Sequence, residues 1–112
     1  MELILTFKIL ILMGSFKEIS MDNIFNSEVR VKILALLYGV KYCEFNYLLK
    51  KLETSPGNLW THLKKLEREG YIEVKKYPLR KGVRTIVKIT DKGAEKFKEY
   101  LNELVKLSSG EV

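Results

Sequence analysis

Three groups of residues in this 112-residue chain could do chemistry: one histidine, one cysteine, and a series of small polar and basic side chains between Ser55 and Arg84. His62 has no second histidine and no nearby cysteine with which to share a metal, and nothing beside it resembles a nucleophile elbow. Cys43 has no disulfide partner and no thiol cluster, a usage that fits a reducing, cytoplasmic setting. An enzyme is therefore not expected, and neither is a metal or another cofactor. The third group is different in kind. Ser55, Pro56, Gly57 and Asn58 are compact, Thr61 follows one helical turn later, and Lys64, Lys65 and Arg68 come after it. Hydroxyls and carboxamides exchange hydrogen bonds, while ammonium and guanidinium groups hold phosphate. That is the chemistry of gripping a polyanion, not of breaking a bond.

Charge placement agrees. The chain has 20 Lys and Arg against 14 Asp and Glu, a net +6. Between Ser55 and Lys92 lie ten basic residues and four acidic ones, so this stretch carries the whole excess and the remainder is neutral. From Lys75 to Lys88 there are six basic residues and no acid. A basic balance favours a polyanionic partner, and the expectation is that this surplus gathers on one side of the molecule. A composition of 46% hydrophobic and 30% charged residues excludes a disordered tail or a collagen-like fibre, and the length suits one domain with one modest core.

The elements that must position these groups follow from periodicity. Over Ser27–Tyr38, Val29, Ile33, Leu36 and Leu37 recur at helical spacing, Asn26 or Ser27 can cap the start, and Gly39 is the expected stop. Lys41-Tyr42-Cys43 reads as a short extended link. A second short helix over Glu44–Leu52 places Phe45, Leu48, Leu49 and Leu52 on one face. After a turn at Glu53-Thr54-Ser55, a serine cap and a proline in the first turn start a third helix, which runs from Pro56 to Glu69 and stops at Gly70. The period then changes to two: Tyr71–Tyr77 and Val83–Thr90 read as strands joined by a basic tip, Pro78–Gly82. Thr90 or Asp91 caps a last helix, 91–107. Two helices joined by a tight turn and followed by a hairpin give an α+β fold: a winged helix-turn-helix, with a helical core, a two-stranded β wing and a C-terminal dimerisation helix.

At about 100° per residue, Leu59, Leu63 and Leu66 share the buried face of the third helix. Gly57, Thr61, Lys64, Lys65 and Arg68 fall opposite, with Asn58 at the edge, Trp60 on one flank and His62 on the other as a packing residue beside the second helix. A face small and polar at its N-terminal end and basic further on is what entry into a major groove requires. At the wing, Arg80, Lys81 and Arg84 are the best placed to reach phosphate or a minor groove.

The run SPGNLWTHLKKLEREGYIEVKKY, then a basic tip, then RTIVKITDKGAEKF, resembles the winged helix-turn-helix regulators of the MarR and ArsR type, most closely the short one-domain archaeal members. The likeness covers roughly Asn26 to Leu107. It implies a homodimeric transcriptional regulator that binds double-stranded DNA in a sequence-specific way. Pro56, Gly57, Asn58, Trp60, Thr61 and Lys64 fall on positions that family members use to contact DNA, although Trp60 stands where a small residue is usual. The likeness does not extend to ArsR-type metal sensing, because Cys43 has no partner thiol and His62 lies in the recognition helix.

The apolar stripe of the last helix (Phe97, Tyr100, Leu101, Leu104, Val105 and Leu107) is the expected dimer surface. The leader, 1–20, contains Leu3–Met13, an almost wholly apolar run too short for a membrane span, which needs about 20 residues. It reads as a packing or dimer element ahead of a DNA-binding domain over 21–112, or else the true start is Met13 or Met21. No membrane partner is expected, and no effector ligand is identified. The chief rival function is a winged helix used as a protein-interaction module, which would need an exposed apolar patch around Trp60.

Overall fold

The computed structural model describes residues 23–110; the leader over 1–20 and the alternative starts lie outside the described residues. A 3-10 turn, Asn23–Asn26, leads into α1 (Glu28–Val40), β1 (Tyr42–Glu44), α2 (Phe45–Leu52), α3 (Pro56–Arg68), β2 (Ile72–Pro78), β3 (Val83–Ile89) and α4 (Asp91–Ser109). Ser27, Ser55 and Thr90 cap α1, α3 and α4, each side-chain oxygen accepting a backbone N–H three residues on.

The sheet is antiparallel with order β1-β3-β2, so the expected hairpin is present with a third strand added. Tyr42-Cys43-Glu44, its first two residues expected in a link and its third in the second helix, pairs with Lys88-Val87-Ile86. The strand has no pattern of its own; it exists because β3 offers it a free edge. Gly39 does not end α1. The helix continues to Val40, and Lys41 makes the turn at φ 76°, its N–H donating to Leu37 O. The last helix also runs past 107, to Ser109, closed by Gly110.

One core serves all elements. Ile33, Leu34 and Leu37 of α1, Leu48 of α2, Leu59, Leu63 and Leu66 of α3, Ile72, Val87 and Ile89 of the sheet and Phe97 of α4 are all buried in it. Burying each leucine of α3 contributes about 2–3 kcal/mol of transfer free energy. Arg30 of α1, a charged side chain, is buried at 9% exposure. Its Nε donates to Ile24 O and its Nη2 to Asn23 O, so the guanidinium ties the 3-10 turn to α1 and its charge is solvated by carbonyls.

The α4 start is locked onto the end of α3. Thr90 N–H donates to Tyr71 O, Thr90 Oγ1 donates to Gly70 O, and Lys92 Nζ donates to Glu69 O. That last bond satisfies a carbonyl at the C-terminal end of α3 with a cation, the favourable sign for the helix dipole. Gly93 permits the approach: a Cβ there would be driven into the main chain of Tyr71, its carbonyl oxygen first. Gly93→Ala should therefore destabilise the fold by about 2–3 kcal/mol, the scale of overpacking a tight site. Urea titration followed by circular dichroism checks it; an unchanged midpoint would contradict the close approach.

Candidate nucleic-acid interface

Why α3 faces outward follows from its leucines. With Leu59, Leu63 and Leu66 at zero exposure, the opposite side carries Pro56, Gly57, Asn58, Thr61, Lys64 and Arg68, all exposed. Ser55 is exposed too, and its Oγ accepts from Asn58 N–H. Lys65, expected outward, is only half-exposed and lies on the His62 flank, where its charge acts on the imidazole.

Several hydrogen-bonding groups on this face are pre-oriented and partly unspent. Asn58 Nδ2 donates to Thr54 Oγ1 at 2.7 Å, which fixes the carboxamide and leaves its oxygen as an acceptor facing solvent. Thr61 Oγ1 donates to Gly57 O at 3.0 Å and keeps its lone pairs. A Cβ built on Gly57 meets nothing within 4 Å, so the fold itself does not require a glycine there; the missing side chain leaves room for something outside the chain.

Trp60 is half-buried and belongs to the support of this face. Its ring lies 5.1 Å from Phe45 of α2, and Lys76 Nζ of β2 sits 4.7 Å over it. The exposed apolar patch that a protein-binding reading would need is thus covered by a lysine. Glu67, an acid in a basic helix, also has a structural task. Its Oε2 accepts the Val74 N–H of edge strand β2 at 3.1 Å, pinning the wing to α3.

His62, expected as a packing residue beside α2, has its hydrogen-bond partner on α1. Its Nδ1 accepts from Arg30 Nη1 of α1 at 3.2 Å, since a guanidinium has only donors. Burial, then the Arg30 and Lys65 charges, hold its pKa below the ordinary 6.5. Cys43 is chemically quiet: burial pushes its thiol up to about 11.

At the wing, Leu79 N–H donates to Gly82 O across the turn, and Arg80 and Lys81 stand exposed at the tip. Arg84 is less available than sequence implied, because Nη2 pairs with Glu44 of β1 at 2.9 Å. The surplus cations do not all gather on one side. Strand alternation puts Lys76 on the α3 side of the sheet with Val74, and Lys75, Arg84 and Lys88 on the other side.

The expected dimer face is divided in the same way. Phe97 and Tyr100 are spent on the protomer's own core, Tyr100 stacked on Phe25 at 4.5 Å, and Leu107 is buried as well. Leu101 and Val105 are exposed at 37% and 64%, with Leu104 half-buried beside them. Among the described residues no cluster of His, Cys, Asp and Glu could hold a metal, and no helix is long and apolar enough to cross a membrane.

Residues 29–108 match the model of a winged helix DNA-binding domain. An uncharacterized protein of Methanocaldococcus jannaschii is 60% identical over 86 residues, 77% of this chain and 94% of the relative. Among solved structures, a transcriptional regulator homologue from Pyrococcus horikoshii OT3 superposes with a TM-score of 0.77 at 34% identity, covering 87% of this chain and 96% of that one. AbfR, in its overoxidized form bound to DNA, superposes with a TM-score of 0.52 at 22% identity over 71% of this chain and 55% of its own; this likeness is one of fold.

The His62 geometry sets a pH dependence. A histidine whose folded pKa is depressed contributes stability that is present above its unfolded value of 6.5 and lost as pH falls through it toward the folded value. His62→Gln keeps an acceptor for Arg30 without the titration. The melting temperature of the wild type minus that of the variant should fall between about pH 7.5 and pH 5.5. A difference independent of pH would contradict the neutral, Arg30-held imidazole.

Proposed function

The chain belongs to the family of winged helix DNA-binding domains, and from that membership and the make-up of α3 and the wing we propose that it is a sequence-specific, homodimeric regulator of transcription. In this reading α3 enters the major groove of double-stranded DNA. Arg80 and Lys81 at the wing tip meet phosphate or the adjacent minor groove, with Arg84 behind them. The observation that carries it is the sidedness of α3. Three buried leucines leave a small, polar N-terminal half and a cationic C-terminal half exposed together. The N-terminal half suits close approach to base edges, with Asn58 and Thr61 as readers. Lys64 and Arg68 suit the backbone, and the capped helix start favours a phosphate.

Two copies related by a two-fold axis would set their recognition helices about 34 Å apart, matching successive major-groove faces of a palindrome. Leu101, Leu104 and Val105 of α4 are the residues left to make that dimer. Occupancy of a promoter site would then act sterically, blocking or recruiting polymerase.

Arg80→Ala with Lys81→Ala should weaken binding to every duplex sequence and lower the slope of log affinity against log salt by about 2, close to one unit for each phosphate no longer neutralised. Asn58→Ala or Thr61→Ala should instead relax base preference in selection from a random duplex pool, by about 1–3 kcal/mol for each base read. Gel-shift titration distinguishes the two classes, and a wing variant that binds duplex unchanged would remove the wing from the interface. For the dimer, Leu101→Glu with Val105→Glu should convert the chain to a folded monomer in sedimentation equilibrium and weaken palindrome binding. An unchanged mass would move the interface elsewhere.

A further inference from the structure

Apart from Arg84, the face of the sheet turned away from α3 has no task in the duplex reading. Register places Tyr42 beside Lys88, and Tyr77 beside Arg84, with Lys75 and Ile86 paired between them. These six residues, with Leu79, line a shallow depression of about 530 Å³ to which no carboxylate contributes. Tyr42 is 62% exposed and Tyr77 48%. The acids of this face do not line the depression, although Glu44 stands beside Ile86 in the ladder. Glu44 is engaged by Arg84 at 2.9 Å, and Glu73 stands across from Lys88 in the ladder.

We propose that this outer sheet face is a second nucleic-acid site, one that binds single-stranded DNA by stacking bases on Tyr42 and Tyr77 and holding phosphates with Lys75 and Lys88. It goes beyond the duplex reading and does not rest on it. Duplex DNA keeps its base faces stacked inside and offers edges and phosphates, which call for an inserted helix and cations, not for open aromatic rings. A single strand presents bare base faces at intervals along a polyanion, which is the combination displayed here. Strand spacings put the two tyrosines about 10 Å apart across the sheet and about 13 Å along it, a diagonal that a few extended nucleotides can span. Because Lys76 and Trp60 lie on the opposite side with α3, the two sites can be filled together.

The test uses the full chain, a fluorescent oligo(dT) strand of roughly twelve nucleotides, and an unlabelled random duplex as competitor, read by anisotropy. The strand should bind, and saturating duplex should not displace it. Tyr42→Ala with Tyr77→Ala should weaken strand binding at least about tenfold, the scale of losing base stacking, while duplex affinity stays within about twofold. Tyr42→Phe with Tyr77→Phe keeps both rings and should retain strand binding. Lys75→Gln with Lys88→Gln should weaken it and flatten its salt dependence, which gives a reading independent of the tyrosine variants. Absence of strand binding, full displacement by duplex, or unchanged binding by both the alanine and the glutamine variants would overturn the proposal. A tenfold preference for oligo(rU) would overturn the assignment to DNA.

Discussion

The rest of the molecule depends on one constraint: Leu59, Leu63 and Leu66 must all leave water at once. Together their burial is worth several kcal/mol, which fixes the rotation of α3 about its own axis. Everything polar on that helix then takes its place by geometry. Thr61 and Lys64 face outward because Leu59, Leu63 and Leu66, about half a turn away, face the core. A helix rotated by a third of a turn would expose a leucine and bury a lysine, losing on both counts.

Fixing the rotation does not fix the position of α3 relative to the wing, and separate contacts do that. At its N-terminal half, Trp60 is wedged between Phe45 and the ammonium of Lys76. At its C-terminal half, Glu67 holds the edge of β2 and Lys92 closes the last turn. Arg30 reaches His62 from α1. α3 and the sheet that carries the wing are thereby joined by several contacts, so that the wing tip is held relative to α3. Glu67 and Trp60 serve this joint, which explains an acid and an aromatic ring among the cations there.

Much of this was legible in the sequence, for local reasons. The Ser55-Pro56 start, the leucine period of α3, the alternation of the two long strands and the Thr90 cap are each written within a few residues, and each element appears where its pattern stands. What could not be read is non-local. β1 is three residues long and exists only through its pairing with β3. The burial of Arg30 depends on carbonyls that a short 3-10 turn brings to it. Arg84 meets Glu44 only because β1 joins the sheet. Alternation could have warned that Lys75 and Lys76 point to opposite faces. Charge counting along the chain merged them into one surface, and only the register showed that the cations divide between an α3 side and an outer side.

The central claim is that α3 and the wing tip act as a single gripping surface. Backbone amide shifts of the isotope-labelled chain, followed during titration with a short duplex, test it most directly. Perturbations should centre on Gly57–Arg68 and on Leu79–Gly82, moving together at one affinity, with Tyr42–Glu44 of β1 quiet. Perturbations confined to other elements, or helix and wing responding at different affinities, would contradict it.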